Sequence, residues 1–556
     1  MGYAHEYAEA VLHRGRVPME PADFVPDWPD GPRRGKFYPG VESLALPDGN
    51  DLPAAPARTG LLPPTGAKDG PWRGAGPGGE GGSDKGAAPG GQRGFTLPLL
   101  SAMLKDSYGL TGRRLGIQAN SDLSGLPFHT HANWSRGTAG GGGLYPVGVH
   151  WVSGPSGPLT PGIHHYDVQR HSVQRLLTGD VTDRVREALG ADAPAEALET
   201  DQYLLLGVKY WQNTFKYNSF GYHVVCTDVG TLVQTWRVWA AAHGLRTAPV
   251  LWFDEPRLNG LLGTVGEEES VFAVVPLRWE GAAAPRTAEV TGPDPAVRHR
   301  DVERSRTVVR FPTVLAMHAA TVAGATDRPA PGALAPAAAR PVPEGGTRVA
   351  LPAPAFPDTP VRHVLRSRRS SFGRFDAARP VTPGQLSAVL AACAATSLGE
   401  ETAAGGEAAR QVRLYAFVNH VAGTAPGAYV YDPDAGDLSL VVPGPQGAFL
   451  QRNYFLANYN LEQAGVALVP AVRTSAVLDA VGDRGYRLAV GTAGAVAQTF
   501  YLAASALSLG AGVALGFDNV SFVERLGLEG TAEAPLLIMA LGNERPGPAD
   551  FRHEIA

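Results

Sequence analysis

Three short segments of this 556-residue chain carry residue types suited to chemistry. Lys216-Tyr217 stands in the apolar, aromatic stretch WQNTFKYNSFGYHVV. Burial there would disfavour the charged lysine, and the adjacent phenol would complete a proton-transfer pair. Arg368-Arg369-Ser370 stands in VLRSRRSSFGRF, ahead of the Thr382-Pro383 that opens a helix. Two guanidinium forks and a hydroxyl suit a phosphate group. Gly140, Gly141, Gly142 and Gly143 follow Arg136 and lead into a strand, and their backbone amides can come close to a flat or anionic ligand. Each segment also has a plain reading: solvated arginines, a hinge of glycines, a surface lysine beside a core tyrosine.

A long internal repeat favours chemistry. Gly221-Tyr222, Gly230, Gln234-Thr235, Phe253-Asp254 and Leu262-Gly263 recur 264 residues later as Gly485-Tyr486, Gly494, Gln498-Thr499, Phe517-Asp518 and Leu526-Gly527. Upstream, Pro161-Gly162 with Tyr166-Asp167 recurs at an offset of 265, and Leu100-Ser101-Ala102 recurs at 286 as Leu386-Ser387-Ala388. A long period used twice predicts two similar domains fused into a pseudo-dimer. Each chemical segment occurs in one copy only. Lys216-Tyr217 maps onto Ala480-Val481, the arginine-serine triplet maps back onto Gly82-Ser83-Asp84, and the second copy has only SLGEETAAGGEAARQ where the first has its glycine run. The losses are complementary, so one composite site survives and its twin has decayed.

Around these segments, mixed helix and strand predict an α+β fold. In the first copy, helices are expected at 97–107 and 228–242 and strands at 147–152 and 271–277; in the second, helices at 382–395 and 492–508 and strands at 413–418 and 536–541. A short helix is expected at 314–322. The division is a 1–52 N-terminal extension, a 53–94 flexible insertion, a 95–282 first module, a 283–360 linker and a 361–556 second module. In the insertion, 20 of 42 residues are glycine or proline, too few apolar groups to offset ordering entropy.

Net charge is −5, which gives no electrostatic footprint for nucleic acid, and no polybasic run addresses a membrane surface. Two cysteines, Cys226 and Cys393, are too few for a disulfide framework, and the N-terminus lacks the apolar core of a signal peptide, so a cytoplasmic protein is expected. The apolar stretch 491–517 reads as a buried interface helix rather than a membrane span. His129 and His131 have no matching Cys/His pair nearby and read as polar loop histidines, so no metal is expected. No G-x-G-x-x-G nicotinamide fingerprint follows a strand.

The order "DW…GPRRGKFYP…LALP", "RGTAGGGGLYPVGVHW", "PGIHHYD", "FKYNSFGYHVVCTDVG" and "RRSSFGRF…VTPGQLSAVL" resembles the SagB-type azoline dehydrogenases of the FMN-dependent nitroreductase superfamily, in tandem form. The resemblance implies two tandem nitroreductase-like domains forming an intrachain pseudo-dimer, with FMN at their interface. It implies that Arg368, Arg369 and Ser370 hold phosphate and ribityl, that the backbone at Ala514, Leu515 and Gly516 faces the flavin ring, and that Arg545 adds phosphate charge. Arg136 and the loop of Gly140, Gly141 and Gly142 come from the first module; Ala139-Gly140 replaces the family's Pro-Ser, leaving backbone donors alone. Phe372 stands near the place of the family's next basic residue, with Arg374 two positions later.

Members of that family oxidise thiazolines or oxazolines of a ribosomal peptide to thiazoles or oxazoles. The implied mechanism has Lys216 or Tyr217 take the α-proton while hydride leaves for the flavin, and dioxygen reoxidises the cofactor. The implied partners are an azoline-containing precursor peptide and a YcaO-type cyclodehydratase or leader-binding protein, because the N-terminal segment is too short for a complete winged-helix leader-binding domain. Further dimerisation is compatible with the sequence. Two other readings are weighed: an NAD(P)H-dependent nitro or quinone reductase, whose chemistry needs no Lys-Tyr base, and a non-catalytic peptide-docking subunit, which needs neither motif.

Overall fold

The computed structural model describes residues 2–62, 93–119, 127–282, 294–404, 408–546 and 551–555. Two antiparallel sheets repeat one strand order. The first runs Ser43–Ala45, Ser172–Thr178, Gly162–Asp167, Val147–Ser153, Gln202–Lys209, Glu269–Pro276. The second runs Arg348–Ala350, Asp437–Pro443, Gly427–Asp432, Val412–Val418, Val466–Val472, Ile538–Gly542, and adds Gly510–Ala514 at the far edge. The corresponding edge in the first sheet is a single bridge between Val250 and Val274. This is the α+β, tandem nitroreductase-like architecture expected, with each sheet's edge strand drawn from a segment ahead of its module's first helix.

The expected helix 97–107 forms as Leu97–Ser107, with Pro98 in its first turn, where a missing amide hydrogen does no harm. Its counterpart Pro383–Ala394 opens on a capping box between Thr382 and Gln385. The long helices are longer than expected. They span Gly221–Ala242 and Gly485–Ala506, so each begins seven residues before the reading from sequence. Aromatic and polar residues there look loop-like in sequence, but their side chains have partners in the opposite half. Tyr222 receives a bond from Arg487, and His223 lies 2.8 Å from the Tyr486 hydroxyl. Gly485–Ala506 is apolar and long enough to cross a bilayer, yet it is buried inside the protein, packed against Gly221–Ala242.

The expected short helix forms as Pro312–Ala323. His129 and His131 fall on the strand Pro127–Ser135 rather than in a loop, because the hairpin it makes with Gly112–Ala119 is extended by a third strand, Phe551–Glu554. The C-terminal tail thus crosses back to the first half. Most of the glycine- and proline-rich insertion, including Gly82, Ser83 and Asp84, lies outside the described residues. Cys226 and Cys393 are buried and unpaired, and among the described residues no cluster of metal-ligating side chains occurs.

One buried charge cluster joins the halves. Glu255, fully buried, accepts from Arg484 at 2.8 Å and from Arg487 at 2.7 and 3.1 Å, and the Ser270 hydroxyl also donates to it. Arg484 further donates to the Leu251 and Thr321 carbonyls. The two guanidinium charges hold the Glu255 carboxyl down at about 2 against the opposing effect of burial. Removing one partner of such a cluster strands desolvated charge, which typically costs about 3–5 kcal/mol. Glu255→Gln is therefore expected to lower stability by about that amount, read as an earlier midpoint in chemical unfolding.

Candidate active site

The helix Trp211–Tyr217 ends where Asn218 adopts a positive φ of 43°, which turns the chain into the interface helix. Its buried residues fix it from below, and the Gln212 side-chain amide donates to the Leu144 and Tyr145 carbonyls at 2.9 and 2.7 Å. That pair of bonds ties Lys216 and Tyr217 to the glycine loop. Gly142 and Gly143 adopt φ of 60° and 67°, a region costly for any residue with a Cβ. A methyl on Gly142 would fall 2.5 Å from Lys216 Nζ and 2.7 Å from Tyr217 Oη, so both head groups lie over its backbone. The ammonium also sits 4.9 Å from the centre of the Tyr217 ring. Burial lowers the Lys216 pKa, and Arg34 nearby lowers it further. Burial raises the Tyr217 phenol, and the charge of Asp228 adds to the rise.

From the second half, the arginine-serine segment is sewn to the strand Gly510–Ala514. Ser371 donates through its amide to the Ala511 carbonyl at 2.8 Å and accepts the Ala511 amide on its hydroxyl at 3.0 Å. Tyr501 accepts the Val513 amide at 3.0 Å and lies 2.9 Å from the Ser370 hydroxyl. Arg369 pairs with Glu544. Arg368 lies over the Tyr501 ring and donates to the Arg136 carbonyl at 3.0 Å, which brings the two halves' motifs into direct contact. Beside them opens a cleft of about 180 Å³ bordered by Ser367, Arg369, Ser371, Tyr501 and Ser505.

What Arg136 offers Arg368 is its backbone; its guanidinium is held between the Tyr108 and Tyr145 rings, at 4.7 and 4.1 Å. The Gly141 amide donates to Asp228 at 2.7 Å, while a methyl on Gly140 would strike the Tyr145 ring. Ala514 ends its strand, the Leu515 carbonyl accepts from Arg14, and the Gly516 carbonyl accepts the Phe455 amide at 2.9 Å. Arg545 is exposed and bonded to Gln463 at 3.2 Å, so it is not gathered with Arg368 and Ser370.

Three further residues hold this site. Gln498 accepts the Ala139 amide at 3.0 Å and donates to the Gly137 carbonyl at 3.1 Å, clamping the loop of one half from the helix of the other. Arg14 stacks on Phe220 at 4.4 Å while bonding Leu515 and Asn519, so the N-terminal segment links the Lys-Tyr turn to the segment after Gly510–Ala514. Asp228 anchors Gly141. Gln498 left a trace in sequence as one of the repeated positions and Asp228 as part of FKYNSFGYHVVCTDVG, whereas Arg14 left none.

The pseudo-symmetric position is filled. Thr138 with Thr235 and Thr396 with Thr499 make equivalent 2.9 Å contacts, which places residues 397–400 opposite 139–142. Glu400 then stands where Gly142 does, and Arg237 occupies the repeat position of Tyr501. Buried Arg237 pairs with Glu400 and donates to the Ser397 carbonyl. Glu401 takes the Leu251 amide at 2.7 Å and Arg328 at 2.8 Å.

Residues 365–543 match the nitroreductase family. A nitroreductase-designated protein of Methanocaldococcus jannaschii is 29% identical over 209 residues, covering 36% of this chain and 98% of its own. A crystal structure of a protein from Anabaena variabilis, also designated a nitroreductase, superposes with a TM-score of 0.69 over 98% of this chain and 100% of that one, at 20% identity. The second half is thus a nitroreductase-family domain, and the chain as a whole has a nitroreductase-like fold.

The glycine loop is directly testable. Alanine at 142 or 143 should each cost about 1–2 kcal/mol for the left-handed backbone. A methyl at 143 meets open space, whereas one at 142 meets the lysine and tyrosine. Gly142→Ala, and not Gly143→Ala, is expected to raise the rate at which an acylating reagent labels Lys216, measured by peptide mass spectrometry.

Proposed function

We propose that the chain is an FMN-dependent oxidoreductase that converts thiazoline or oxazoline rings of a ribosomal peptide into thiazoles or oxazoles. Its oxidoreductase class rests on the nitroreductase-family domain. The finer reading is carried by one observation: a desolvated lysine and a tyrosine of one half converge on a glycine loop whose neighbouring carbonyl is held by Arg368 of the other half.

The residues fit a flavin phosphate once Glu544 is displaced. Arg368 Nε is buried with no hydrogen-bond partner, and the adjoining cleft is lined by hydroxyls, the Arg369 guanidinium and the Glu544 carboxylate that now pairs with it. In this reading Arg368, Arg369 and Ser370 hold phosphate and ribityl, and Ala514, Leu515 and Gly516 lie along the ring. Arg369 would exchange Glu544 for that phosphate. Bound FMN supplies the acceptor for the hydride that leaves the ring carbon, and dioxygen, reduced to hydrogen peroxide, restores it.

The chain's own residues handle the proton. With its pKa lowered by burial, Lys216 is the better base, and its neutral amine takes the α-proton of the azoline. The Tyr217 phenol stays protonated because burial and Asp228 both oppose its ionisation, so it serves as a hydrogen-bond donor that orients the ring heteroatom or carbonyl. Loss of that proton and a hydride from adjacent atoms leaves an aromatic ring. The expected partners are the precursor peptide and a cyclodehydratase or leader-binding protein.

Mass spectrometry of an azoline peptide incubated with the protein should show loss of two hydrogens per ring. Lys216→Ala and Tyr217→Phe are expected to keep flavin yet slow that conversion by about 10²–10⁴-fold. Arg368→Ala should lose flavin first. Turnover should rise with pH as Lys216 loses its proton, with a midpoint below the ordinary lysine value of about 10.4. NAD(P)H consumption without peptide would instead support a nitro or quinone reductase, and purified protein without flavin absorbance would support a docking subunit.

Because Arg237, Glu400 and Glu401 fill the twin position, flavin released on denaturation should amount to one equivalent per chain. Two equivalents in a reconstituted sample would refute the single-site reading.

A further inference from the structure

The interface helix Gly221–Ala242 carries a carboxylate that takes no direct part in the proposed proton and hydride transfers. Asp228 is buried, its Oδ1 accepts the Gly141 amide at 2.7 Å, and its Oδ2 is buried with no partner. Hydroxyl or carboxamide side chains could also anchor a loop amide, less strongly but without desolvating a charge. An unpaired carboxyl oxygen in such a place is expensive, so its retention calls for an explanation.

Its position in the repeat supplies the second observation. At the 264-residue offset Asp228 corresponds to Thr492, just as Lys216 and Tyr217 correspond to Ala480 and Val481. All three groups therefore occur in one half and are replaced by uncharged residues in the other. The carboxyl also lies directly against the loop: a methyl on Gly141 would fall 3.5 and 3.7 Å from its two oxygens.

Resting on the azoline reading above, we propose that Asp228 is a positioning residue for Lys216 and Tyr217, pinning the Gly141 amide so that the left-handed turn at Gly142 stays beneath both head groups.

The titratable groups around it set how that hold varies with pH. Tyr217 faces it from the short helix, Tyr108 from the end of Leu97–Ser107, and Cys226 lies on its own helix. Arg136 lies between Tyr108 and Tyr145, and Lys216 stands over Gly142 beside Tyr217. Burial pushes the Asp228 carboxyl up to about 7, against the smaller opposite effect of the Gly141 amide. Above that pH the carboxylate is the stronger acceptor for the amide and opposes ionisation of Tyr217; below it the carboxylic acid holds the loop more weakly.

Hydrogen exchange and lysine labelling test this without any substrate. In the full-length protein, Asp228→Ala should speed amide exchange in the peptide containing Gly141 by at least about tenfold, the loss of one charge-assisted bond of about 1.5 kcal/mol or more. Asp228→Asn, which keeps a neutral acceptor oxygen, should speed that exchange less than Asp228→Ala does while abolishing the inflection near pH 7 that wild-type Lys216 should show in its acylation profile. Unchanged exchange in Asp228→Ala overturns the proposal. Should that variant fail to fold, an Asp228→Asn labelling profile that keeps the inflection overturns it equally. If wild-type protein shows both signatures but no azoline oxidation, the positioning role stands and the proposed reaction falls.

Discussion

A methyl group added at Gly230 would fall 1.9 Å from the Gly491 carbonyl oxygen, and one added at Gly494 would fall 2.2 Å from that of Thr227. The two interface helices therefore touch through their backbones, and glycine at those points is a steric requirement. That close approach sets the distance between the halves. It lets Gln498 on one helix reach the Ala139 and Gly137 backbone of the opposite half. A wider crossing would break the Gln498 clamp and separate the Arg136 carbonyl from Arg368. The site is composite because the helices are close.

Fusion makes the two ends of a symmetric interface free to diverge. At one end Tyr501 receives the Val513 amide and contacts Ser370; at the other its repeat partner, Arg237, pairs with Glu400. The same backbone frame thus supports a cleft bordered by hydroxyls on one side and a closed ion pair on the other. In a homodimer any such substitution would alter both sites together. Here the two ends differ, with hydroxyls and the arginine-serine segment at one and the Arg237–Glu400 pair at the other.

Much of this was legible in the sequence. Gly221-Tyr222 and Gly485-Tyr486 recur because each opens an interface helix, and Gly230 and Gly494 recur because each meets a facing carbonyl. Helix Leu97–Ser107 was readable end to end, since an apolar face and a first-turn proline are local signals. Long-range partners are what sequence hides. Asp228 reads as the opening residue of the helix expected at 228–242, with no sign of its anchoring role, because its partner, the Gly141 amide, lies far back in the chain and donates through the backbone. Arg14 reads as part of a charged N-terminal segment, although it joins Phe220 to Leu515. Arg545 misleads in the other direction: its motif places it near the cleft, and its side chain goes to Gln463.

Buried charge divides between the interface and the site in a way that follows from asymmetry. Glu255 is compensated by two arginines, so the cluster stabilises the join once its members are all present. Asp228 is left half-satisfied. Holding its carboxyl up near 7, against an unfolded value near 4, means that the folded chain binds more protons than the unfolded one across that window. Stability therefore falls as pH rises through it and levels off above, a cost on the order of 4 kcal/mol. Carried in both halves of a symmetric dimer, that cost would fall twice, at two interdependent sites. Thr492 at the equivalent position of the second half carries no such cost, so the fused chain bears one proton-sensitive carboxyl here where a symmetric dimer would bear two.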